Sequence, residues 1–244
     1  YPADNSRVVV MGLCPSAMTT ADSHTTYSLP SRAGLTDVLV TPNGVTGSRK
    51  QPFGRALEFA HAAVRIVLKA RRTDNTVGKL YVKNLKFTVP ARLVCGGVKW
   101  DTGTKQYLAA PAAADLVINH SGQILSTEDT QVAVFYLTPC SPADLLTDLT
   151  GTGGTPGLTL TADVAKDINF TTGARNASFP ILDGNLNFMD QFGSPATQLK
   201  GGESYETTLE FDIDSFTLEG EEKEWEDGGK MTVPVVVPEP TPGP

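Results

Sequence analysis

The sequence predicts an all-β protein. Several segments alternate apolar and polar residues with period two, and others are β-branched or aromatic runs bounded by turn formers. The 23 Gly and 17 Pro of the 244 residues are spread along the chain as punctuation between short strands rather than pooled in one tract.

Taken in order, Val8, Val9 and Val10 open the strand series over residues 7–13. Leu13 precedes Cys14, whereas a lipidated cysteine follows a small residue, so this stretch reads as a strand. Residues 37–41 form the next candidate. Residues 41–48 (Thr-Pro-Asn-Gly-Val-Thr-Gly-Ser) are rich in turn formers and mark an expected domain boundary. Residues 55–72 are ambiguous. Leu57, His61, Val64 and Leu68 fall at helical spacing, yet Val64, Ile66 and Leu68 alternate with Arg65, Val67 and Lys69, and the β-branched content of the second half favours a strand.

Residues 80–89 change phase: Leu80 and Val82 share one parity, while Leu85, Phe87 and Val89 take the other. One extra residue near Asn84 makes that switch, so a bulge is expected there. Residues 91–95 form another candidate, and residues 131–137 read as a strand buried on both faces. Residues 150–157 form a glycine loop, residues 158–162 alternate again, and residues 176–191 read as irregular. The clearest alternation is residues 205–214, with Tyr205, Leu209, Phe211 and Ile213 opposite Glu206, Glu210, Asp212 and Asp214. Residues 203–227 carry 11 of the 27 acidic groups and read as a solvated strand face. After Gly228 and Gly229 come residues 231–237, another strand candidate, and then a Pro-rich extended tail over residues 238–244.

Composition excludes several functions. The net charge of −7 lacks the basic footprint of a nucleic-acid binder, so no nucleic-acid partner is expected. No apolar run approaches the ~18 residues of a membrane-spanning helix. Three cysteines, Cys14, Cys95 and Cys140, without CxxC spacing indicate buried thiols rather than a disulfide framework or a zinc site. His24, His61 and His120 are too dispersed for a metal pair. The glycine loop lacks the lysine of a phosphate loop, and there is no GxSxG elbow. Asp212 and Asp214 begin like a calcium loop, but the later ligand positions are missing. No catalytic residue, metal or cofactor is therefore expected, and an enzyme is not the reading. Trp100 and Tyr107 are a conceivable sugar-stacking pair, though core or hairpin packing accounts for both.

Three pieces in order resemble the fimbrillin-like surface proteins of Gram-negative gut and oral bacteria, the subunits of type V pili. They are Thr36-Asp37-Val38-Leu39-Val40, the run Leu57-Glu58-Phe59-Ala60-His61-Ala62-Ala63-Val64, and Leu199-Lys200-Gly201-Gly202-Glu203-Ser204-Tyr205, with Glu224-Trp225-Glu226 further on. Ala63 stands where the family has Leu. The resemblance implies transthyretin-like β-sandwiches. Residues 1–48 are then the C-terminal part of an incomplete N-terminal sandwich, residues 49–237 a C-terminal sandwich, and residues 238–244 the tail.

It also implies a non-catalytic structural subunit of a cell-surface fimbria, extracellular and outer-membrane-associated, supporting adhesion. Assembly is by strand complementation with other copies or related fimbrial subunits. Further partners are host or bacterial surface ligands, and any membrane contact is through a lipid anchor of the precursor that this sequence does not contain. Met231, Val233, Val235 and Val237 are the candidate donor face, with Gly228 and Gly229 as hinge. The alternative is that residues 231–237 close their own sandwich. A non-polymerising carbohydrate-binding or adhesive β-sandwich is the other functional reading.

Overall fold

The computed structural model describes residues 2–22, 25–29, 31–54, 56–72, 80–124, 126–140, 157–180, 199–211, 216–224 and 227–235. Among them every regular element is a strand. The N-terminal third contributes β1 (Val8–Val10), β2 (Leu13–Cys14), β3 (Thr19–Asp22), β4 (Thr26–Ser28), β5 (Leu39–Val40), β6 (Val45–Gly47) and β7 (Ala60–His61). Longer strands follow: β8 (Val64–Arg72), β9 (Tyr81–Val89), β10 (Cys95–Asp101), β11 (Gln106–Pro111), β12 (Leu116–Ile124) and β13 (Thr130–Leu137). The last are β14 (Thr159–Ala165), β15 (Arg175–Pro180), β16 (Ser204–Phe211), β17 (Phe216–Glu224) and β18 (Asp227–Val235).

Two sheets make the main sandwich: β13-β8-β16-β17-β18 and β12-β9-β14-β15. Their inner faces supply one core. From the first sheet come Val64, Ile66, Leu68, Phe135, Tyr205, Leu209 and Phe211, and from the second Val82, Leu85, Phe87, Ile118, Leu160 and Val164. Alternation does this directly: in β8 the even-numbered residues from Val64 to Ala70 are buried, while Arg65, Lys69 and Arg71 on the other face reach solvent. Val67, on that outer face, is nonetheless buried at 3% exposure.

The phase switch in β9 is a bulge. Thr161 pairs with Lys86 and Asp163 with Lys83, so Ala162 opposes both Asn84 and Leu85. Asn84 takes φ +52°, a conformation that Asn tolerates better than most residues. Its Nδ2 donates to Asp163 Oδ2 at 2.7 Å, and Asn176 Nδ2 donates to Asp163 Oδ1 at 2.9 Å. These amides, Asn176 foremost, hold the Asp163 carboxyl below its usual range. Val82 and Leu85 both reach the core because of the extra residue, at 0% and 1% exposure.

A second, smaller core gathers Leu29, Val38, Val40, Ala63, Cys95 and Val98. It lies against the sheet β11-β10-β4-β3 and the short sheet β2-β5-β7, while β1 and β6 form a separate ribbon. Hydrogen-bonded ladders here run across residue 48: β4 pairs with β10, and β5 with β7.

Several expectations change. Residues 7–13 split at Met11 and Gly12 into β1 and β2, whose partners are β6 and β5. Residues 91–94 form a tight turn, with Leu93 N donating to Pro90 O, and the strand proper starts at Cys95. Residues 131–137 are buried on one face rather than both: Phe135 and Leu137 are buried and Gln131 is exposed, because only the Phe135 face of β13 looks into the core. Residues 176–180 belong to β15, paired with β14, rather than to an irregular loop. Of the cysteines Cys95 is buried, Cys140 half-buried and Cys14 exposed, because β2 is a two-residue strand at a sheet edge. The glycine loop up to residue 156, residues 181–191, Trp225 and residues 236–244 fall outside the described residues.

Gly97 is the seam between the N-terminal strands and β10. Its φ is +146°, and a Cβ there would sit 2.0 Å from the Tyr27 carbonyl oxygen. Gly97→Ala is expected to lower unfolding free energy by at least ~2 kcal/mol, read as a reduced urea midpoint. An unchanged midpoint contradicts the close pairing of β4 with β10. Burial pushes the Cys95 thiol up to about 11. At pH 8 an alkylating reagent is accordingly expected to label Cys14 in the native protein and Cys95 only after denaturation.

Candidate functional site

The three sequence segments that carry the family resemblance meet at one place. Leu39 pairs with His61 and Val40 with Ala60, and Ala62 N donates to Val38 O at 2.8 Å. The third segment closes on the second: Gly202 N donates to Ala63 O at 2.9 Å, and Arg65 N donates to Glu203 O at 3.0 Å. From there β16 runs parallel to β8, with Ser204 opposite Arg65. Arg65 Nη1 also donates to Ser204 Oγ at 3.0 Å.

Glycines make this approach possible. A Cβ on Gly201 would lie 2.8 Å from the Ala62 carbonyl oxygen, and Gly202 has φ +86°. The turn is braced by Tyr205, whose hydroxyl donates to Glu203 Oε2 at 2.8 Å and accepts from Lys200 N at 3.2 Å. Lys200 Nζ reaches Glu203 Oε1 at 3.3 Å.

His61 Nδ1 lies 2.5 Å from Asp37 Oδ2. This contact ties the first segment to the second by side chains as well as by backbone. The other Asp37 oxygen, Oδ1, is buried without a hydrogen-bond partner among the described residues. Burial first, and then the Asp37 charge, raise the Tyr136 hydroxyl above its usual range, while Arg65 acts in the opposite direction.

Above this junction is a groove of about 380 Å³. Its walls include Val40, Pro42 and Pro139, and its lining contains no Lys, Arg, Asp or Glu. Two consecutive stretches border it: residues 60–62 and residues 106–109. Successive strand residues point to opposite faces, so consecutive residues lining one groove mean that the strand's edge, and not one face, borders it. Among the described residues β7 pairs only with β5, and β11 only with β10. The groove thus lies between two strand edges.

Trp100 and Tyr107 do not form a flat platform. Their rings meet edge to face, with centroids 5.0 Å apart and planes at 65°, and Tyr27 meets Tyr107 at 5.7 Å and 74°. Tyr27 and Tyr107 pack against the smaller core, as hairpin packing expects.

The candidate donor residues stand elsewhere. Met231, Val233 and Val235 lie in β18, opposite Gly220, Leu218 and Phe216 of β17. Those positions continue the rows of Thr207, Leu209 and Phe211 in β16. β18 is the outermost strand of its five-stranded sheet. Gly228 and Gly229 are inside β18, opposite Lys223 and Glu222, and Val237 lies outside the described residues.

No strand is expected at residues 106–109 from periodicity, yet they lie in β11. Their signal is the preceding turn, where Thr104 N donates to Asp101 Oδ2 at 2.7 Å and Lys105 takes φ +55°.

No protein-family model matches the chain, and neither does any curated protein. Among solved structures, a candidate cell adhesion protein from Bacteroides uniformis is similar at 14% identity and a TM-score of 0.50, over 93% of this chain and 76% of that one. A second, from Bacteroides eggerthii, has 11% identity and a TM-score of 0.37, over 82% of this chain and 63% of that one. The likeness to the first shows a shared fold.

The Asp37–His61 contact is testable apart from any ligand. A double-mutant cycle of Asp37→Ala and His61→Ala should give a coupling energy of about 0.5–1 kcal/mol, modest because both side chains are partly exposed. Additive effects on the urea midpoint contradict a direct contact.

Proposed function

We propose that this protein is a non-catalytic adhesion subunit of a cell-surface fimbria, joined to its neighbours by strand complementation. The observation that carries the reading is the placement of β18. It is a terminal strand on the edge of its sheet, and sequence alternation puts Met231, Val233 and Val235 on one side of it. An edge strand has backbone groups turned toward a missing neighbour, and a strand from another chain supplies the missing ladder. Pro234, which lacks an amide hydrogen, suits an edge rather than the interior of a sheet.

Two further observations support the reading. A similar solved structure is described as a candidate cell adhesion protein, which favours an outer surface of the cell. The three segments resembling the fimbrillin-like proteins are also the segments that meet at the junction beneath the groove, a convergence that a chance likeness of short stretches has no reason to produce. On this reading the partners are other copies or related subunits, and no cofactor takes part.

Deleting residues 230–244 provides the test. The ladder between β16 and β8 does not involve β18. The truncated chain is therefore expected to stay folded by circular dichroism and to run as a monomer in sedimentation velocity, under conditions where the full chain forms higher assemblies. Assemblies that persist after the deletion overturn the donor role.

A further inference from the structure

We propose that Asn43-Gly44 is a self-modifying site, at which the Asn43 side-chain amide is lost to leave an aspartyl or isoaspartyl residue at the entrance to β6.

The chain offers this pair once: of all its asparagines, only Asn43 is followed by glycine. The ladders on either side push the pair outward. Thr41 N donates to Gly12 O at 3.1 Å, and Gly12 N donates to Thr41 Oγ1 at 2.8 Å, so these two residues face each other. A few residues on, Val45 pairs with Val10. Met11 alone is therefore matched against Pro42, Asn43 and Gly44, and the surplus bulges outward, leaving Asn43 exposed.

Packing supplies the glycine. A Cβ at residue 44 would lie 2.3 Å from Val9 Cγ1 and 3.0 Å from the Val10 carbonyl oxygen, so any larger residue has to displace β1. The missing side chain also leaves the amide nitrogen of residue 44 unhindered. Among the described residues Gly44 N makes no hydrogen bond, and no ladder has to break before it reacts. Asn84, Asn119 and Asn176 instead lie within strands, and Asn84 and Asn176 hold their side-chain amides on Asp163.

The chemistry needs no co-reactant but water. The Gly44 amide nitrogen, losing its proton, attacks Asn43 Cγ. The N–Cγ bond forms, the Cγ–Nδ2 bond breaks, and Nδ2 leaves as ammonia. Water then opens the cyclic imide. Hydrolysis of the new N–Cγ bond leaves aspartate, whereas hydrolysis of the original peptide bond leaves isoaspartate, with a backbone one methylene longer. Either product places a negative charge before β6. The longer backbone also shifts the lead into a ribbon in which β6 is matched to β1 over three residue pairs, and it is expected to loosen that ribbon.

The test ages the full-length protein in weakly alkaline buffer, native and in urea, and follows asparagine-containing peptides by chromatography and mass spectrometry. In the native protein Asn43 is expected to deamidate at least tenfold faster than Asn84, Asn119 or Asn176, and within tenfold of its own rate in urea. The aged, deamidated fraction is expected to exchange amide hydrogens at residues 8–10 and 45–47 faster than both wild type and Asn43→Asp, which carries the charge on an ordinary backbone.

A native rate at Asn43 more than tenfold below its rate in urea overturns the proposal, because the fold then protects the amide. A native rate no faster than that of the strand asparagines overturns it as well. Exchange in the aged fraction equal to that of Asn43→Asp overturns the loosening of the ribbon.

Discussion

The parallel pairing of β8 with β16 is the constraint on which the rest of the molecule depends. It brings Ser204 beside Arg65 across 139 residues and holds the register through Phe211 opposite Arg72. Both strands lie inside the five-stranded sheet, so neither can be lost without dividing it. Parallel strands need a long crossover, and the chain uses the intervening strands to build the facing sheet, the β10–β11 ladder beside the smaller core, and the edge strand β13. Closing so long a loop is entropically costly. The buried rows of Ile66, Leu68, Tyr205, Leu209 and Phe211 are the term that offsets it.

The same ladder dictates what happens at its start. For β16 to enter beside β8, residues 200–203 must turn tightly against the backbone of Ala62 and Ala63, and only a residue without a side chain fits at Gly201. Ala62 and His61 are in turn held by Val38 and Asp37. A packing requirement of the large sandwich therefore fixes the position of β7 and one wall of the groove. Several backbone constraints fall on the same few residues here, so three segments far apart in the sequence meet in space.

The sequence was most informative where one physical rule acts alone. In β16, Tyr205, Leu209 and Phe211 alternate with Glu206 because one face is dry and the other wet, and the structure keeps that division. The shift of phase at Asn84 foretold a bulge because nothing but an inserted residue reconciles Val82 with Leu85. Local rules failed where tertiary pairing prevails. Gly96 and Gly97 follow the candidate strand that ends at residue 95, yet they lie in β10, where the backbone of Ala112 approaches Gly96 and the Tyr27 carbonyl of β4 approaches Gly97 too closely for a side chain. Residues 57–61 have helical spacing, but Ala60 and His61 are drawn into β7 by pairing with β5, a partner more than 20 residues away. The groove was invisible for the same reason: it is made by two strand edges, and an edge is a property of the sheet rather than of any residue.

If β18 is donated to a second chain, as proposed above, its ladders set the energetic balance. In its own sheet β18 has one hydrogen-bonded neighbour, and its other side faces no strand among the described residues. Leaving β17 loses a one-sided ladder and exposes a new edge. Net hydrogen-bond gains are only about 0.5–1.5 kcal/mol each, since water already satisfies exposed groups. The balance must then come from apolar burial, at roughly 1.5–3 kcal/mol for each Val or Met side chain fully removed from water.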